Sequence, residues 1–179
     1  MHDGVLCHFS EDPAITRFVP HVAATSALTE PLVWALDPAK SYIYLFPRDC
    51  PRVTFYLDEE TTDADRDRFF AHTEASRVVA IESGWLERMR KTVLYRYELP
   101  REGFELHDAG ADYWVRREAI EPLDVEPVGD LMTALLDDGV EVRVTPSLWP
   151  LYEAVVASTL GFSIVRWRNA APRMSEERV

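Results

Sequence analysis

The sequence predicts an α+β fold in a single domain, with a mixed or antiparallel sheet and several short helices. Three observations lead there. Short β-branched and aromatic runs recur between helical runs, without the regular strand–helix alternation of a doubly wound sheet. Arg77-Val78-Val79-Ala80-Ile81 is apolar after its first residue, the pattern of a central strand buried on both faces. Leu131, Met132, Leu135 and Leu136 form the paired i, i+4 stripe of an amphipathic helix. At 179 residues the chain is long enough for one sizeable core. The domain is assigned to residues 1–170, with 171–179 as a C-terminal tail.

Val5 to Phe9 reads as a strand entering the core. Residues 10–31 are irregular, punctuated by Pro13, Pro20 and Pro31. Leu32 to Ala35 reads as a second buried strand. Asp37-Pro38 has the N-cap and N1 chemistry of a helix start, and Pro47 stops that helix after Phe46. A strand over Tyr42–Phe46 competes, because the run is aromatic and β-branched. Arg52 to Leu57 alternates as a strand. Thr62 to Ala71 is a charged helix, and Trp85 to Lys91 a short one. Val93–Leu99 and Phe104–His107 read as strands around a Pro100–Gly103 turn, a hairpin signal, and Tyr113–Arg116 adds another short strand. Asp130–Asp138 is the amphipathic helix, with Gly139 placed to end it. Glu141–Val144 is a strand, on which Glu141 and Arg143 face the same way and can pair. Leu148, Leu151, Tyr152, Val155 and Val156 form the apolar face of the next helix, and Phe162–Trp167 a final strand.

The net charge of −12, from 19 Lys+Arg against 31 Asp+Glu, argues against nucleic-acid and anionic-membrane partners. No run approaches the roughly 18 apolar residues of a membrane span. The start lacks the basic and apolar regions of a signal peptide, so the expected location is cytoplasmic. Cys7 and Cys50 are then expected as reduced thiols, and no spacing fits a metal site. Motifs for nucleotide-binding P-loops, dinucleotide folds, serine hydrolases and zinc proteases are absent.

Against this acidic background, Arg48-Asp49-Cys50-Pro51-Arg52 stands out. Pro47 and Pro51 stiffen the turn, and arginine suits forked recognition of phosphate or carboxylate. A small anionic ligand is therefore the first functional expectation. The competing explanation is an internal ion pair that only holds the turn. Cys50 between the arginines could have a lowered pKa, though no base is identifiable as its partner. His8 and Ser10 share a strand face and, with Glu11, offer a ring, a hydroxyl and a carboxylate to a ribose or an amide. The ordinary alternative is a half-buried histidine beside a Ser-Glu-Asp-Pro turn. Tyr113 and Trp114 could wall a pocket or fill a core. Glu82 could be a strand-end catalytic carboxylate or the acid of a helix start. Arg166 and Arg168 could join the anion site or neutralise acidic surface.

Cys7-His8-Phe9-Ser10-Glu11-Asp12-Pro13, Val33-Trp34-Ala35, Phe46 to Val53, Ala75 to Glu82 and Val140 to Arg143 resemble an uncharacterised bacterial family of unknown function. That likeness covers nearly the whole chain and implies no activity. A histidine strand followed by a small hydroxyl residue also resembles the ADP-ribosyltransferase fold, especially its small rifampin-modifying type. So does the order of a Val33-Trp34 strand, an aromatic helix with Tyr42 and Tyr44, and a later Glu121-Pro122-Leu123 segment. The second resemblance implies NAD as cofactor, His8 as the ribose contact and Tyr42 or Tyr44 as the nicotinamide-stacking residue. Arg48 or Arg52 would hold the pyrophosphate. The chain departs from that pattern at Phe9, where the fold carries glycine. For the carboxylate it offers Glu82, Asp112 and Glu141 without distinguishing them.

The sequence thus leads to a small anionic or nucleotide-like ligand held by His8, Ser10, Tyr44, Arg48, Arg52 and Tyr113. The rival is a noncatalytic binding or protein-interaction domain with structural arginines. A homodimer burying Trp149 or Trp167 is a third expectation.

Overall fold

A computed structural model of the chain describes residues 4–22, 29–108 and 113–173. Asp112, the Ala109-Gly110-Ala111 run and residues 174–179 lie outside these. In chain order the strands are β1 (Val5–Ser10), β2 (Val33–Leu36), β3 (Arg52–Tyr56), β4 (Arg77–Glu82), β5 (Tyr95–Pro100), β6 (Glu105–Asp108), β7 (Tyr113–Arg116), β8 (Asp124–Pro127), β9 (Glu141–Thr145) and β10 (Gly161–Val165). The α-helices are α1 (Asp63–Phe70), α2 (Leu86–Lys91), α3 (Leu131–Asp137) and α4 (Trp149–Val156). The class is α+β.

The backbone falls into two compact units: Met1–Arg48 with Thr92–Ala134, and Asp49–Lys91 with Leu135–Val179. The first carries a six-stranded sheet in the order β6-β7-β2-β1-β5-β8, antiparallel at every pairing. One face of this sheet holds Leu6, Val33, Ala35, Tyr97 and Leu99, which pack with Phe18, Phe104 and Ile120. Short backbone bridges, Phe18 with Ile120 and His21 with Leu32, tie the irregular N-terminal segment to the unit.

The second unit carries a four-stranded sheet, β10-β3-β4-β9. Its β4–β9 pairing is parallel, and the others are antiparallel. Val53, Phe55, Val78 and Ala80 project from one face onto Phe69, Phe70, Leu148, Val155 and Leu160. The opposite-facing Thr54, Val79 and Ile81 are also fully buried, as the apolar run of β4 leads one to expect. Thr62 caps α1 by accepting from the Asp65 amide, a bond that stabilises a helix start by about 1 kcal/mol. Gly161 opens β10 where a side chain would crowd its neighbours: a Cβ there would lie 2.3 Å from the Tyr56 ring and 2.6 Å from the Asp58 carboxylate, and both would have to move.

Four local expectations are corrected. The run after Asp37 forms a 3-10 helix over Pro38–Ile43, with Asp37 accepting from the Ala39 amide. Tyr42 and Ile43 belong to it, which removes the strand alternative. The hairpin across Pro100–Gly103 does not form, because β5 pairs with β1 and β8 while β6 pairs with β7. The turn itself exists, with Gly103 at φ +79° and Phe104 donating to the Arg101 carbonyl. It redirects the chain across the sheet, since β1 and β8 occupy the two sides of β5. β8 was not anticipated: its burial is slight along its whole length, so it has no apolar alternation to read. The last strand ends at Val165, since Arg166 takes a left-handed conformation at φ 55°. That conformation costs an L-residue about 1–2 kcal/mol and turns the chain into a short 3-10 segment over Trp167–Asn169.

Candidate functional site

Strand alternation sorts the predicted residues. Cys7 sits opposite Leu36 in β2, and His8 opposite Tyr97 in β5. His8 therefore shares the face of Leu6, Ala35 and Tyr97, while Cys7, Phe9, Trp34 and Tyr113 occupy the other. On its face the His8 ring lies 4.8 Å from Phe18, which in turn meets Tyr97 edge-on at 5.3 Å. Tyr97 donates its hydroxyl to the Asp12 carbonyl and accepts from the Ile15 amide, so the segment after β1 is pinned to the sheet.

His8 Nδ1 lies 2.9 Å from the Trp34 carbonyl. A carbonyl only accepts, so Nδ1 carries the proton and neutral His8 presents the lone pair of Nε2. Among the described residues no hydrogen bond to Nε2 is made. Burial lowers the His8 pKa below the ordinary 6.5; the Trp34 carbonyl opposes this, while the Arg48 and His21 charges add to it. The imidazole is thus held as a neutral acceptor at the end of β1. Arg48 is exposed, and its backbone amide donates to Glu11 at 2.9 Å. Ser10 accepts from the Asp12 amide. His8, Ser10, Glu11 and Arg48 therefore gather around the C-terminal end of β1.

The tyrosines gather elsewhere. Tyr44 and Tyr113 hydrogen-bond through their hydroxyls. Tyr113 meets Trp34 edge-on at 6.1 Å, and His107 meets Trp34 at 5.6 Å. This aromatic group covers the face of the sheet away from His8. Trp114, on the His8 side of β7, takes the Arg101 guanidinium 4.0 Å above its ring.

Arg52 belongs to the second unit. It is 2% exposed and donates from its guanidinium to the Cys50 carbonyl at 2.9 Å. Burial pushes the Cys50 thiol up to about 12, against the pull of Arg52 and Arg88 and with the help of the Glu82 charge. The expectation of an activated thiol is overturned: desolvation outweighs the neighbouring cations. Burial likewise raises the Cys7 thiol to about 11, and both cysteines are free thiols.

Glu82 ends β4 with its carboxylate turned inward. It accepts from the Ala171 amide at 3.0 Å and lies 3.5 Å from the Leu148 amide at the start of α4. Trp149 donates its ring N–H to the Ala171 carbonyl, and Arg173 pairs with Glu153, so residues 171–173 are held against α4. Glu141 pairs with Arg143 as expected. Partial burial pulls the Glu141 pKa upward, but hydrogen bonds from Thr73 and Arg143 hold it below the ordinary range. Tyr152 and Trp167 stack at 4.2 Å, and Trp149 meets both rings edge-on.

The neutral-acceptor state of His8 could not be read in advance, because it depends on a carbonyl 26 positions away. Glu11 was grouped with His8 for its own carboxylate chemistry. Its grip on the Arg48 backbone needs the return of the chain after the 3-10 helix.

A family of unknown function, DUF6886, has a model that matches residues 7–170. The chain belongs to this family. The match takes in the whole β1 group from His8 onward together with the Arg48–Arg52 turn. No curated protein and no solved structure matches the chain. Among the described residues no helix is long and apolar enough to cross a membrane, and no group of histidine, cysteine and acidic side chains could hold a metal ion.

Proposed function

We propose that the chain binds a small nucleotide-like anion at the C-terminal end of β1. The supporting observation is the pairing of opposite ligand chemistries there. Neutral His8 offers an acceptor suited to a ribose hydroxyl, and Arg48 brings a cation close enough to depress the His8 pKa. Ser10 adds a hydroxyl beside them. Arg52 favours the structural reading for itself, since it is buried and donates to the Cys50 carbonyl; the rival noncatalytic interaction domain draws its support from that arginine.

Transfer of ADP-ribose from NAD would be the enzymatic form of this reading. It needs an aromatic stacking partner and a carboxylate beside His8. Tyr44 lies with Tyr113 on the other face of the sheet, and Tyr42 is 1% exposed. The carboxylate of Glu82 is occupied by the Ala171 amide. These residues do not fit an NAD molecule shared by His8 and Tyr44.

Thermal denaturation with ADP-ribose, NAD and inorganic phosphate tests the binding reading. At a hundredfold excess over Kd, a true ligand stabilises the folded chain by about 3 kcal/mol. We expect that shift with ADP-ribose, and its loss in His8→Ala and Arg48→Ala. Absence of any shift, or a shift that survives both substitutions, overturns the site and leaves the interaction domain.

A further inference from the structure

In the second unit, the segment after Trp167–Asn169 is held in a manner that reads peptide chemistry. Asn169 donates to the Asp49 carbonyl and Trp167 stacks on Tyr152, so the backbone is rooted up to that point. Ala170 is extended, at φ −63° and ψ 147°, and Pro172 steers Ala171 to the same region. An extended residue turns its N–H and C=O to one side. At Ala171 both are taken by side chains. The amide donates to the two Glu82 oxygens at 3.0 and 3.1 Å, and the carbonyl accepts from the Trp149 indole at 2.9 Å. Two positions on, Arg173 pairs with Glu153 at 3.0 Å and lies 6.0 Å from the centre of the Trp149 ring. Glu82, Trp149 and Glu153 thus hold one extended residue and a cation two places after it.

We propose that Glu82, Trp149 and Glu153 form a peptide-binding site, occupied in cis by the chain's own Ala171-Pro172-Arg173. Its partner in trans is an extended basic segment of another protein, with a small residue, proline and arginine in that order. The resident segment defines that chemistry: backbone bonds supply affinity, and the ion pair with Glu153 supplies selectivity. A net charge of −12 draws a cationic segment from a distance. The resident is also lightly held. Residues 171–173 are exposed, and among the described residues they make no backbone-to-backbone hydrogen bond. The Arg173–Glu153 pair is exposed on both sides, where ion pairs contribute little. Such a segment lifts far more readily than the fold unfolds. Glu82, by contrast, is 5% exposed, so its carboxylate depends on a donor brought to it. The resident amide is that donor until a partner replaces it. Cis occupancy weakens the partner's apparent affinity by the fraction of time the segment is lifted.

Fluorescence anisotropy of the full chain with a labelled, capped Asn-Ala-Ala-Pro-Arg peptide, which copies residues 169–173, is the test. Ala171→Pro removes the cis donor to Glu82, and Ala170 already has the backbone that a residue before proline adopts. That chain should bind the peptide about tenfold more tightly than the native one. Arg173→Ala, an exposed change, should gain about threefold, and it carries the comparison alone if Ala171→Pro fails to fold. Adding Trp149→Phe to Arg173→Ala removes the indole donor and should cancel that gain. A peptide ending in glutamate should not bind. In the native chain the Ala171 amide should exchange with solvent at a rate insensitive to low urea, unlike the amides of β4. Ala171 exchange that follows global unfolding, equal binding by native and opened chains, no binding by any of them, or binding indifferent to the peptide's last residue each overturns the proposal.

Discussion

Arg48 and Arg52 are four positions apart on one proline-stiffened turn, yet they have different fates. Arg48 closes the first unit, exposed, with its backbone on Glu11 and its charge felt by His8. Arg52 opens β3 in the second unit, buried, and donates to the carbonyl of Cys50. Side-chain type alone does not say whether a guanidinium recognises a ligand or holds a turn. The strand register decides it: Arg52 shares its face with Thr54, opposite Ile81 in β4, and at β3 and β4 that face is closed to water.

The contrast is most easily broken by removing each arginine. Arg52→Ala empties a buried site and strips the Cys50 carbonyl of its donor, and we expect a loss of about 3 kcal/mol in urea denaturation. Arg48→Ala should stay within about 0.5 kcal/mol. Equal losses would mean that both arginines hold the fold. A smaller effect is expected at Glu82, the other buried charge among the described residues of the second unit. Glu82→Gln keeps one acceptor oxygen and leaves a donor with no acceptor to meet, for about 1–2 kcal/mol. Hydrogen exchange at Ala171 should quicken in that variant, and unchanged protection there would remove the tether assigned to Glu82.

The smallest effect sharpens the Arg48 side. The His8 pKa in the folded chain lies below 6.5, so the unfolded chain binds more protons between those two values. Stability from His8 is complete above about pH 6.5 and is lost as pH falls through 6.5 toward the folded value. The stability gap between the wild-type chain and His8→Asn should narrow over that window. A gap that widens on acidification would mean that His8 is charged in the folded state.

Much of this architecture was legible. The apolar run of β4, the stripe of α3 and the Asp37-Pro38 start all announce themselves locally, through burial period and cap chemistry. β8 was hidden because four exposed residues carry no alternation, and the β5–β6 hairpin was misread because pairing partners are chosen by the sheet. At the candidate site, the grouping of His8, Ser10 and Glu11 followed from their spacing. The separation of Tyr44 and Tyr113 from His8 did not, since it depends on Cys7 falling opposite Leu36. Cys50 shows the same limit: adjacent arginines suggest an acidic thiol, while desolvation, invisible in sequence, drives it to about 12.

Gly161 has one more consequence. Any side chain there must push aside the Tyr56 ring and the Asp58 carboxylate, so a lysine or glutamate guard at the first residue of β10, an edge strand, comes at a cost in packing. Protection of that edge falls more easily to the residues further along it.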